Sequence, residues 1–81
     1  MYLKWNLFKD YCTRNGIHLL KGDIKFIESV MLDIPVDRHR RILKSYSDLW
    51  LSVLKKEENV ARSQNLARKT ANTWLREAAH Y

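Results

Sequence analysis

The stretch Asp37–Ala79, DRHRRILKSYSDLWLSVLKKEENVARSQNLARKTANTWLREAA, decides the fold. It holds no Gly and no Pro. Ile42, Tyr46, Leu49, Trp50, Val53 and Leu54 form an apolar stripe, which resumes after Glu57 with Val60, Ala67, Ala71, Trp74 and Ala78. At ~100° per residue these positions share one side of an α-helix. Unbroken, that helix would run ~43 residues and ~64 Å, too long for a compact domain of 81 residues. One resolution is a break at Lys55-Lys56-Glu57-Glu58-Asn59. There two cations would meet the negative end of one helix and two acids the positive end of the next. The other is a helix that runs through, its free half packed on a second subunit. Capping logic and the middling helix formers of Val60–Asn65 favour the break.

Working outward, Tyr2 to Asn15 reads as a helix, with Leu3, Leu7 and Tyr11 on one stripe, Phe8 and Cys12 beside it, and Asn15-Gly16 as its stop. A second helix starts near Gly22-Asp23, with Asp23 as its N-cap. Ile24, Ile27 and Met31 form its apolar face, widened by Phe26, Val30 and Leu32, which suggests a central place in the core. Pro35 ends it, and Asp37 is the next N-cap candidate. The expected fold is an all-α bundle of three or four helices, in a single small domain over residues 1–81. Its C-terminal part is either two helices or one long amphipathic helix.

Composition narrows the class. Hydrophobic residues make up 46% of the chain, which argues against disorder. Two Gly and one Pro are too few for the turns of a β-sandwich. The single Cys allows no internal disulfide, and beside apolar neighbours Cys12 reads as a buried structural thiol. No run of ~20 apolar residues and no signal-peptide pattern is visible, so the expected location is cytoplasmic, with no membrane partner. His18, His39, His80 and Cys12 share no metal-ligand spacing. No catalytic constellation and no cofactor motif stands out, so the chain is not expected to be an enzyme.

Charge is the informative feature. Residues 1–35 carry five basic and four acidic side chains, and residues 36–81 carry ten and five. Nearly all of the net +6 therefore lies in the second part. Arg41, Lys55, Arg62, Lys69 and Arg76 fall on one seven-residue register, interrupted by Asp48. On a continuous helix they project from one face with ~20° drift per step. Asn65 and Asn72 flank that face. Arg and Lys contact phosphates, and Asn adds hydrogen bonds to sugar, phosphate or base edges. Every amphipathic helix needs a solvated face, but an ordinary one mixes signs, and this one is short of acids.

The run Asp37-Arg38-His39-Arg40-Arg41 follows Ile34-Pro35. Helix, short turn and a helix with a basic first turn are together similar to a helix-turn-helix layout, whose second helix reads the major groove. The turn lacks the usual Gly, and the likeness is one of layout alone. Arg38, Arg40 and Arg41 oppose the helix dipole, which makes them phosphate candidates beside the ladder.

The leading expectation is a small basic helical protein, a regulatory or accessory factor that binds nucleic acid. Its contacts would be Arg38, Arg40, Arg41, Lys55, Arg62, Asn65, Lys69, Asn72 and Arg76. The competing expectation is an adaptor or inhibitor docked on the acidic surface of a larger protein, where the same cations steer association. Trp5, Leu51 and Leu66 would then be anchors. Trp50 and Trp74 read as core, and the small residues Ala67, Ala71 and Ala78 suit either internal packing or a homodimer seam.

Overall fold

Four helices follow one another: α1 (Trp5–Arg14), α2 (Lys21–Met31), α3 (Val36–Lys56) and α4 (Val60–Ala78). The computed structural model describes residues 5–79; the Trp5 side chain, Tyr2, Leu3, His80 and Tyr81 lie outside that description. No strand occurs among the described residues, as the 3.6-residue periodicity predicts. No helix among them is long and apolar enough to cross a membrane.

The long helix breaks where the charges change sign. Glu57 leaves helical geometry at φ −106°, ψ 123°, and Lys55 and Lys56 occupy the last turn of α3. Asn59 then caps α4, its Oδ1 accepting from the Arg62 amide at 2.9 Å. Polar side chains replace glycine at this turn. Trp50–Gln64 and, farther from it, Tyr46–Asn72 pair across the break, so α3 and α4 run antiparallel. The longest extent is 36 Å, well short of an unbroken helix. Val60→Pro tests the break. Val60 is exposed at the first position of α4, and Asn59 before it is extended, as proline requires. The variant is expected to melt within ~0.5 kcal/mol of the parent, whereas a proline inside one continuous helix would cost ~3 kcal/mol.

The α3–α4 hairpin is the centre of the molecule. Tyr46, Trp50, Ala67, Ala71 and Leu75 are all inaccessible to solvent. Ala67 and Ala71 are the small contact that lets these helices approach, so they serve internal packing. Leu75 takes the deep position, while Trp74 is only partly buried against the core. Val60 is 73% exposed and leaves the stripe, because the new helix starts there. The central place expected of α2 belongs to this hairpin. Only Asp23, Ile27 and Met31 of α2 are buried, and Leu32, just past its end, is exposed.

Other local expectations shift by a residue or two. In α1 the core side is Phe8 and Cys12, and Leu7 and Tyr11 face outward. Adjacent stripes lie only ~100° apart, and the edge-on contact of Phe8 with Tyr46, centroids 6.4 Å apart, settles which one docks. Gly16 closes α1 at φ +77°. The Ile17 amide reaches back to Cys12 O at 2.9 Å and buries its side chain beneath, a six-to-one closure that needs a left-handed residue. Asp23 and Asp37 are not N-caps. α2 starts after Leu20, and Asp23 is its third residue, its Oδ2 accepting from the Leu20 amide at 2.9 Å. α3 starts after Pro35, and Asp37 sits in its first turn.

Candidate nucleic-acid interface

α4 presents two polar rows with opposite fates. Gln64, Arg68 and Asn72 recur every four residues and turn inward. Gln64 Oε1 accepts from Trp50 Nε1 at 3.0 Å and from the His18 amide at 3.3 Å, while its Nε2 donates to Gly16 O at 2.7 Å. Arg68 Nε donates to Asp23 Oδ2 at 2.6 Å, Nη2 to His18 O at 2.7 Å, and Nη1 to Asn65 Oδ1 at 2.9 Å. Its guanidinium also lies 5.3 Å from the Trp50 ring centroid. Asn72 donates to Asp23 Oδ1 at 3.1 Å and accepts from the Tyr46 hydroxyl. This row grips the Gly16–Asp23 segment and holds α2 against α4. Burial, with the Asp23 charge nearby, pushes the Tyr46 hydroxyl well above the usual tyrosine range.

The outer row is Arg62, Asn65, Lys69 and Arg76, all exposed. Arg62, Lys69 and Arg76 form no ion pair among the described residues; the pairs found there are Lys44–Asp48 and Arg68–Asp23. The one acid within α4, Glu77, shares a flank with Leu66 instead. Arg76 rests its guanidinium 5.5 Å from the Phe26 ring centroid, which orients the charge without neutralising it.

The sequence-predicted ladder therefore divides. Arg41 and Lys55 belong to α3, where Lys44 and Asp48 pair at 2.8 Å between them. Their solvent face mixes signs and is not continuous with the α4 row, because the break separates the two registers. Asn72 leaves the candidate set, since both ends of its amide are used internally. Asn65 stays on the face with its oxygen held by Arg68.

Arg38, Arg40 and Arg41 are exposed on the first turns of α3. In the antiparallel hairpin they lie at the Arg76 end. His39, between them in sequence, turns inward at 5% exposure, with Nε2 2.9 Å from Met31 O and 2.8 Å from Ile34 O. It ties the start of α3 to the α2–α3 turn. The main packing is of α3 and α2 on α4, whereas a helix-turn-helix packs its two helices on each other. Among the anchor candidates, Leu51 is partly buried against the core and Leu66 is 45% exposed. The Trp5 side chain lies outside the described residues.

Cys12 is 1% exposed, and burial pushes its thiol up to about 12, so it stays protonated at neutral pH. No group of three or more His, Cys, Asp or Glu among the described residues is placed to hold a metal ion.

Sequence reasoning missed Gln64, Arg68 and His39. The available signal was the four-residue spacing of Gln64, Arg68 and Asn72 beside Ala67 and Ala71. In comparisons with known proteins, no protein-family model matches the chain, and no curated protein or solved structure matches it.

Proposed function

We propose that the protein associates with nucleic acid through the outer face of α4, as a small regulatory or accessory factor. One observation carries the reading. Arg62, Lys69 and Arg76 stand exposed and unneutralised on one helix face, while Arg68, one position from Lys69, is held by a buried carboxylate. A face of one sign attracts a polyanion and gains by releasing its counterions. Arg38, Arg40 and Arg41 extend the positive field beyond the Arg76 end.

The test is binding to mixed-sequence nucleic acid at about 50 mM salt, followed through a salt titration. Three phosphate contacts predict a log–log slope near −2.7 on B-form DNA, at about 0.9 per contact. Arg62→Glu with Lys69→Glu is expected to weaken binding to every sequence alike, because phosphates carry no base code. The melting temperature should hold, since both side chains are exposed and make no internal bond. Absence of binding by the parent would end this reading and leave the adaptor on an acidic protein surface in its place.

A further inference from the structure

We infer that the α4 face is shaped for duplex DNA rather than for a single strand or an RNA duplex; this rests on the nucleic-acid reading above and specifies its substrate. The first support is the absence of a stacking platform. Proteins that hold single strands without sequence preference stack bases on exposed aromatic rings. Among the described residues no ring lies on the outer face of α4. Phe8, Tyr46 and Trp50 are buried, Phe26 sits against Arg76, and Trp74 packs against the core. Among the described Phe, Tyr and Trp side chains the exposed one, Tyr11, belongs to α1, and the exposed imidazole of His18 belongs to the connection between α1 and α2.

The second support is spacing on a stiff rod. α4 has 19 residues with neither Gly nor Pro, and Gln64, Arg68 and Asn72 pin its inner side along two turns. Arg62 to Lys69, and Lys69 to Arg76, are each ~10.5 Å along the axis, seven residues at 1.5 Å. The major groove of B-form DNA is ≈ 12 Å wide, so neighbouring cations reach phosphates on its two rims. The major groove of A-form RNA is deep and narrow and does not offer that separation, so on an RNA duplex the row would have to span the wide, shallow minor groove instead.

The third support is how little of the helix is free. α4 packs on both α2 and α3, which leaves an outer arc to lie across the rims rather than a whole helix to enter the groove. The polar group nearest the centre of that arc, Asn65, already gives its oxygen to Arg68. With the Asn65 oxygen taken and only its amide donors left, contacts fall mainly on the backbone, and recognition is chiefly of form rather than of base sequence.

The experiment is fluorescence anisotropy of the full chain at about 50 mM salt with three labelled probes of one mixed sequence, about 20 nucleotides or base pairs long. The probes are duplex DNA, its single strand, and the matching RNA duplex. The expected result is binding to duplex DNA at least about tenfold tighter than to either other probe. Arg62→Glu with Lys69→Glu is expected to lose that margin, while a scrambled duplex is bound equally. Comparable or tighter binding to the single strand or the RNA duplex overturns this inference and leaves the nucleic-acid reading in place. Failure to bind any probe overturns both.

Discussion

Trp50→Ala is expected to destabilise the protein by about 3–5 kcal/mol, the range for truncating a buried large aromatic. The indole is fully buried, 5.9 Å from the Tyr46 ring by centroids, and donates to Gln64. Truncation would remove its packing, open a cavity between α3 and α4, and take one donor from the Gln64 oxygen. Chains of this size have total stabilities of roughly 4–12 kcal/mol at ~0.05–0.15 kcal/mol per residue, so the variant loses a large part of its folding free energy. Trp74→Ala should cost clearly less, because that ring is only partly buried. Urea unfolding of the three proteins measures both effects. A Trp50→Ala midpoint equal to the parent's would remove Trp50 from the core.

Asp23→Ala is the second large effect, expected at ~3 kcal/mol. Removing one partner of a buried ion pair costs ~3–5 kcal/mol, because the other charge is stranded. The value falls at the low end because Arg68 keeps 18% of its side chain in solvent. The loss is wider than one pair. The carboxylate also accepts from the Leu20 amide and from Asn72, so the start of α2 and the side of α4 lose their common partner. A fall of roughly 12–24 °C in melting temperature follows at ~4–8 °C per kcal/mol. Arg68→Ala added to Asp23→Ala should cost less than the sum of the single changes. Strict additivity would mean that the two side chains do not act as a pair.

Asp23 and Arg68 also mark the limit of what the sequence alone makes legible. Helix ends were only partly legible from punctuation: Gly16 and the sign change at Lys56-Glu57 each mark the end of a helix, whereas α2 stops at Met31, ahead of Pro35, which instead precedes α3 as its N-cap. Arg62, Lys69 and Arg76 were visible as a face because their spacing is a property of one helix. Arg68 was not, because its fate depends on Asp23, 45 residues away, and periodicity counts both simply as polar. Asn72 was misplaced for the same reason. Leu7 and Phe8 sit on neighbouring stripes of a short helix, and only Tyr46, from another helix, chooses between them. His39 looked like part of a basic run because nothing in sequence marks a ring that bonds two backbone carbonyls.

The three-residue connection between α3 and α4 also bears on how the chain reaches its native state. Joining Trp50 to Gln64 closes a loop of 14 residues, whereas joining Asp23 to Arg68 closes one of 45. Loop-closure entropy grows with length, and local contacts make for rapid assembly. The hairpin is therefore expected to form first, zipping from Asn59 toward Tyr46 and Asn72. The N-terminal half docks afterwards, with Gln64, Arg68 and Asn72 already aligned as a template for Gly16, His18 and Asp23. A chain emerging from synthesis meets the opposite order, since α4 is made last. Its first helices wait without their template until residue 72 is available, and that interval is when Phe8, Ile17 and Ile27 are open to misassociation.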